Sequence, residues 1–213
     1  MIDLVIIGAG GFGREVRSMI ANINQVKPTY KVVGFLDDGM AKDTQIQDLK
    51  VLGGIENFGE TKATAAVLAI GKPSIREAAR KKLPQGVVFP NIIHPLAMFQ
   101  DLERIRVGEG NIICAGNIFT TDILMGSFCI INLSCTIGHD AILGDFTSVM
   151  PGVNISGGAK LMKGVYVGTG AKLIKATTLG SFAVVGAGAV VDADVKAGET
   201  VVGVPARPLK RQE

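Results

Sequence analysis

The chain has no tryptophan, two histidines and three cysteines, and aromatic residues make up 5% of it. Three cysteines (Cys114, Cys129 and Cys135) are an odd number, which favours packed free thiols over metal ligands or a bridge. Free thiols suit a reducing, cytoplasmic setting. No Cys/His cluster has metal-ligand spacing, so no metal is expected. No run of about eighteen apolar residues occurs, so no membrane span is expected. A signal peptide is not expected either: Asp3 interrupts the start, and no basic segment precedes the short apolar run. A formal net charge of +3 is mild and gives no nucleic-acid signal. The 213 residues, 47% of them apolar, leave room for one or two domains and a sizeable core.

What the chain does have is glycine, 28 residues of it, and a six-residue period. Every sixth residue from Val107 to Val191 is apolar: Val107, Ile113, Phe119, Met125, Ile131, Ile137, Leu143, Val149, Ile155, Leu161, Val167, Leu173, Leu179, Val185 and Val191. At the chain's own apolar rate, a fixed frame would do this on the order of once in 10⁵ trials. Glycine follows the apolar residue at Gly108, Gly126, Gly138, Gly144, Gly168, Gly180 and Gly186, and recurs three residues on at Gly152, Gly158, Gly164 and Gly170. Such a period is neither helical nor simply alternating. It describes short strands joined by two-residue corners, with the apolar residues stacked in one inner column: a β-helix. The pattern resembles the hexapeptide-repeat acyltransferases, whose left-handed parallel β-helix is a triangular prism with three hexapeptides per coil. Fifteen hexapeptides then imply about five coils. The frame fails after Val191, and Asp192 to Pro208 reads as an irregular exit with a basic tail at Lys210 and Arg211.

The N-terminal part is different. Asp3 to Ile7 is a short apolar run that ends in Gly8-Ala9-Gly10-Gly11-Phe12-Gly13, and Arg14 to Ile20 reads as a helix with Val16, Met19 and Ile20 on one face. The glycines therefore lie where a strand turns into a helix. There the backbone can approach a ligand, and the helix N-terminus offers free N–H groups to an anion. Tyr30 to Leu36 predicts a second strand ending on Asp37-Asp38, which reads equally as a ribose-binding acid or as turn chemistry. Val51 to Gly54 is a connector or short strand. Ala65 to Ile70 predicts a third clear strand, stopping at Gly71-Lys72-Pro73. Ser74 is placed to cap a helix from Ile75 to Leu83, with Arg76, Arg80, Lys81 and Lys82 as a solvated basic face. Val87 to Phe89 predicts one more strand. The alternation implies a small Rossmann-like α/β unit over residues 1–90 and a β-helix over 91–213, with His94 a loop residue at the junction.

His139 falls two residues after a core position, near a corner and facing out. An imidazole titrates near neutral pH and can take a proton from an amine or hydroxyl, and Asp140 beside it can fix its tautomer. The competing reading is a surface histidine next to a turn aspartate.

Taken together, the glycine-rich N-terminal unit, the His139-Asp140 pair early in the repeat and the Gly203-Val204-Pro205-Ala206-Arg207 exit resemble the NeuD/PglD-like sugar O-/N-acetyltransferases. That resemblance implies a homotrimer that uses acetyl-CoA without a metal and acts on a nucleotide-linked amino sugar, in surface glycan or polysaccharide precursor synthesis. It implies His139 as general base, Asp140 (where many relatives carry glutamate) as the acid that sharpens it, and Asn132 lining the active site. It places nucleotide-sugar contacts at Gly10, Gly11, Phe12, Asp37, Asp38, Gly71 and Lys72. Contacts to coenzyme A fall at Ser148, Gly157, Thr169 and Gly186. Alternatives are sialic acid O-acetylation and a non-catalytic β-helix that binds a sugar nucleotide. A nicotinamide-dependent oxidoreductase would rest on the glycine loop and Asp37 alone.

Overall fold

The computed structural model describes residues 1–174 and 176–209. They form two compact units, Met1–Pro95 and a second from Leu96 on. Among the described residues, no helix is long and apolar enough to cross a membrane.

The first unit is an α/β layer built on a three-stranded parallel sheet. Its strands are β1 (Ile2–Ile7) and β2 (Tyr30–Leu36), followed after the short hairpin of β3 (Gln45–Ile46) and β4 (Leu49–Lys50) by β5 (Ala65–Leu68). Strand β1 is central, with β2 and β5 on either side. Leu4 to Ile7 and all of β5 are buried, as a parallel sheet covered on its faces requires. Helix α1 (Gly11–Val26) packs through Gly13, Val16, Met19 and Ile20. Gly13 must be glycine: a Cβ there would lie 2.0 Å from the Gly8 carbonyl oxygen. Val87 to Phe89 does not form a full strand, since only Val88 bridges, to Ala65.

Helix α2 (Pro73–Lys82) begins earlier than the sequence suggests. Lys72 is its N-cap, without a side-chain cap, and Pro73 opens the helix, so Ser74 lies inside the first turn. Proline suits that position because its missing N–H would have no partner there. The expected basic face is also divided. Arg76 is 1% exposed and donates from Nη1 to the carbonyls of Ile70 (2.5 Å) and Gly71 (3.0 Å). Arg80 lies 4.4 Å over the Phe89 ring, whereas Lys81 and Lys82 are exposed. Charge alone cannot separate these arginines from the lysines. The guanidinium fork can satisfy carbonyls in a dry site, and an ammonium is more strongly hydrated.

The second unit is a left-handed parallel β-helix of about six turns. Fourteen of the fifteen periodic positions are buried, and Val107 is half-buried. Successive coils pair in register eighteen residues apart, as in Phe119↔Ile137, Met125↔Leu143 and Ile131↔Val149. Three sheets result, and the inner column runs continuously up the prism. Phe99 stacks on Phe119 at 4.7 Å within it.

The solenoid is longer than the unbroken frame, which is why about five coils becomes about six. Before Val107 the coil holds two extra residues, since Phe99 pairs with Phe119 rather than with a residue eighteen on, and a 3-10 turn at Leu102–Arg104 absorbs them. After Val191 the frame does not fail but slips by two. Val195 bridges Leu179, Thr200–Val202 pairs with Val184–Val185, and a short antiparallel strand at Arg207–Pro208 closes the exit. Lys210 and Arg211 lie outside the described residues.

The two glycine columns have different physical causes. At the position directly after the core residue, a Cβ would strike the next coil: at Gly144, for example, it would lie 2.7 Å from the Lys163 nitrogen. At the third position the backbone itself is left-handed, with φ near +70° at Gly152, Gly158, Gly164 and Gly170. The same left-handed corner is occupied elsewhere by Asp122, Phe128, Ser134, Asp140, Phe146, Ala176 and Phe182.

Candidate active site

Two places carry chemistry, one in each unit. In the first unit, a cleft of about 280 Å³ opens at the carboxyl ends of β1, β2 and the segment after β5. Ile7, Gly8, Asp37, Asp38, Ile75 and Lys82 are among its lining residues. A ligand site at strand carboxyl ends is where open parallel sheets place one. The first loop is shaped for close approach: Gly8 has φ +101°, Gly10 is the N-cap of α1 without a side-chain cap, and a Cβ on Gly10 or Gly11 would meet open space or only the far end of Arg14. No acidic side chain occupies the first turn of α1, so its N–H groups face outward without a built-in anion. Phe12 is half-buried on that turn.

The two aspartates have separate tasks. Asp37 ties the loops together: its Oδ2 accepts from Ala9 N–H and its Oδ1 from Gly39 N–H, both at 2.8 Å. The turn reading is therefore realised. Each oxygen keeps a further lone pair for a ribose hydroxyl. Asp38 Oδ1 accepts from Ile55 N–H at 2.8 Å, and Oδ2 accepts from Lys82 Nζ at 2.6 Å. The Ile55 hydrogen bond, followed by the Lys82 ammonium, holds the Asp38 carboxyl below the usual carboxylate range. Gly71 has open space where a side chain would be, and Lys72 is exposed at the start of α2. Sequence reading missed Lys82, Ile55 and Ile75 as lining groups, because they come from elements far apart in the chain. A larger cleft of about 410 Å³ lies beside Arg17, Ile20, Val32 and Leu49. The glycine loop is absent from its lining, and an Arg17–Asp48 ion pair (2.5 Å) sits there.

In the second unit, His139 and Asp140 sit on one corner of the prism, 60% and 65% exposed, with His139 Nδ1 2.7 Å from Asp140 Oδ2. The left-handed φ of Asp140 (+60°) turns its side chain back towards the ring. Aspartate is among the few residues that tolerate this conformation. The contact leaves Nε2 as the free ring nitrogen. In the next coil Gly157 lies against the ring: a Cβ there would be 2.5 Å from both His139 Cε1 and Nε2. Gly158 N–H donates to the His139 carbonyl at 2.8 Å, which fixes the backbone beneath the side chain. The geometry makes an oriented imidazole, presented to solvent from a rigid edge.

The remaining expected residues divide by corner. Gly157 joins His139. Asn132 follows the strand Ile130–Ile131, one hexapeptide earlier, and so belongs to the preceding corner of the same coil. It is 7% exposed, and its Oδ1 accepts from Leu133 N–H at 2.7 Å. Thr169 and Gly186 lie on that second edge, exposed and half-buried respectively. Gly186 also makes room for Val202, whose Cγ1 would be 2.7 Å from a Cβ. Ser148 is fully buried, in the strand Ser148–Val149. Within one chain, His139 and Gly157 are brought together; Asn132, Thr169 and Gly186 form a separate group. The three cysteines are buried and none is in a disulfide, and burial pushes the Cys135 thiol up to about 11. Among the described residues, no group of three or more His, Cys, Asp or Glu could hold a metal.

A left-handed hexapeptide prism bearing an exposed, carboxylate-paired histidine, preceded by a glycine-loop α/β unit, defines an acyltransferase of the hexapeptide class. Residues 3–83 match the family described as the PglD N-terminal domain. Over the whole chain, the protein is similar to three solved structures. The acetyltransferase domain of PglB from Neisseria gonorrhoeae FA1090, in complex with acetyl coenzyme A, is 29% identical, with a TM-score of 0.87 over 97% of this chain and 98% of that one. PerB from Caulobacter crescentus, in complex with CoA and GDP-perosamine, is 28% identical, with a TM-score of 0.84 over 98% and 97%. WeeI from Acinetobacter baumannii AYE is 31% identical, with a TM-score of 0.85 over 98% and 100%. The chain belongs to the NeuD/PglD-like family of sugar acetyltransferases.

Proposed function

We propose that the protein transfers an acetyl group from acetyl-CoA to the amino group of a nucleotide-linked sugar, with His139 as general base. The observation that carries this reading is the His139–Asp140 pair: a 2.7 Å contact at Nδ1 with Nε2 left free, on an exposed corner. The acetyl coenzyme A of PglB and the CoA and GDP-perosamine of PerB support the donor and the acceptor class.

The neutral sugar amine attacks the thioester carbonyl, and a new C–N bond forms. His139 Nε2 takes the proton that the nitrogen sheds, while Asp140 stabilises the resulting imidazolium. The tetrahedral intermediate collapses with loss of the thiolate, and the imidazolium returns its proton to give CoA-SH. A backbone N–H of a neighbouring coil can bond the developing oxyanion. The sequence of steps uses no covalent enzyme intermediate and no metal. The cleft lined by Gly8, Asp37 and Asp38 takes the nucleotide, with Gly10, Gly11, Phe12, Gly71 and Lys72, which are not among its lining residues, as contacts made by the bound substrate. Binding energy from that remote part of the substrate serves to position the reacting amine.

The split of the expected donor-binding residues between two corners favours a trimer. A groove between neighbouring prisms would join His139 and Gly157 of one copy to an edge like that of Asn132, Thr169 and Gly186 of the next. The test is incubation of acetyl-CoA with a panel of UDP-, GDP- and CMP-linked amino sugars and sialic acids, read by product mass. His139→Ala should lower transfer by about 10²–10⁴-fold while assembly and acetyl-CoA binding persist. Turnover near wild type in that variant would remove His139 from the mechanism.

A further inference from the structure

We propose that Arg104 is a positioning residue for the His139–Asp140 pair, acting by neutralising Asp122 in the coil directly before it. The inference rests on the proposed role of His139.

The stacking of the prism creates the need. Asp122 and Asp140 occupy equivalent corner positions in consecutive coils, both left-handed, with φ +55° and +60°. The pairs that flank them, Phe119↔Ile137 and Leu124↔Ile142, are in strict register. Adjacent parallel strands lie about 4.8 Å apart, so the backbone positions that carry these two carboxylates are stacked at about that spacing on the corner that carries His139. Asp101, one further coil down, adds a third: its Oδ2 accepts from Thr121 Oγ1 at 2.9 Å, and the same hydroxyl lies 3.2 Å from Asp122 Oδ2. Like charges at such distances oppose one another, and in general uncompensated negative charge near an imidazole favours its protonated form.

Arg104 answers this charge. Its Nε donates to Asp122 Oδ1 at 2.7 Å. The Asp122 hydrogen bond and charge come first in holding the guanidinium above its ordinary range, and Asp101 and Asp140 add to the effect. Arg104 reaches this place because of the 3-10 turn at Leu102–Arg104, the two-residue excess that breaks the hexapeptide frame. The irregularity at the start of the repeat thus delivers a cation to the acidic corner. Asp140 lies against the ring in its own coil; at the same corner in the coils below are Asp122 and Asp101, joined by Arg104 from the turn that also carries Glu103. In the coil above, Ser156 to Ala159 carries no titratable group, and Lys175 lies outside the described residues.

The chain has two histidines, so NMR of histidine-labelled full-length protein can follow the His139 ring directly, assigned by His139→Asn. At low ionic strength, Arg104→Gln should move the His139 titration midpoint up by about 0.3 unit, the unscreened Coulomb effect of a unit charge on the order of 10 Å away in water, and the shift should shrink as salt is added. Asp122→Asn should move it down by a comparable amount. The double variant should return close to wild type, and Arg104→Lys should restore the wild-type midpoint. Arg104 is exposed, and asparagine tolerates the conformation of Asp122, so these chains should fold normally. In turnover, Arg104→Gln should lose up to about twofold in kcat/KM at pH 6.5 and recover it at pH 8.5. Unmoved midpoints, or shifts of the same sign in both single variants, would overturn the proposal. Because the titration needs no turnover, it fails or holds independently of the His139→Ala result.

Discussion

Replacing Gly157 with alanine tests whether the spacing between coils aims the catalytic histidine. Gly157 has no left-handed backbone, so alanine is conformationally acceptable there. The conflict is purely steric: its Cβ would lie 2.5 Å from His139 Cε1 and Nε2 and 2.9 Å from Cδ2. Ordinary carbon contacts begin at about 3.5 Å, so the ring must withdraw by about 1 Å. The His139 side chain is 60% exposed and can swing away, at an off-rotamer cost of about 0.5–1.5 kcal/mol. Global stability should therefore change little, by about 1 kcal/mol or less. Catalysis should change far more, because a displacement of about 1 Å at a reacting group can cost about 10²-fold. The assay is steady-state release of CoA thiol with the best acceptor from the panel, alongside thermal unfolding. The expected outcome is a fall in kcat of about 10²-fold, a KM for acetyl-CoA within about threefold of wild type, and a nearly unchanged Tm. A kcat within twofold of wild type would refute the reasoning. So would a loss confined to the KM for acetyl-CoA, which would make Gly157 a donor contact and nothing more.

Gly13→Ala should destabilise the first unit by about 1–3 kcal/mol or more, read as a lower urea midpoint, since its Cβ would lie 2.0 Å from a backbone carbonyl that has little freedom to move. An unchanged midpoint would show that α1 can lift from β1 at no cost. Asp38 provides a pH test with a definite sign. Its folded-state carboxyl titrates below the unfolded one, so its contribution is present above the unfolded carboxylate range and is lost as pH falls through the folded value. Wild type should exceed Asp38→Asn in Tm at pH 7, with the gap closing as pH falls below about 4. The gap should be modest, because the pair is partly solvated.

The sequence by itself determined the solenoid. A six-residue apolar period can be buried along its whole length only if each coil repeats the last, and the buried column from Ile113 to Val191 follows that rule. It also determined the strand–glycine–helix entry of the first unit, because a buried parallel strand, a loop without side chains and an amphipathic helix each leave a local pattern. His139 was legible as an exposed group on a periodic element, and Asp140 as its neighbour. Periodicity could not reveal where the frame slips. The turn at Leu102–Arg104 and the continuation at Val195 and Val201 depend on inward contacts made one coil away. Nor could composition separate Arg76, buried against two carbonyls, from the exposed Lys82 that bonds Asp38. Only the tertiary structure decided what stands beside the histidine. Gly157 and Asp122 reach that corner from the coils on either side, and Arg104 is carried to Asp122 by an insertion. These residues are distant in the chain, and stacking at strand spacing is what brings them to one corner.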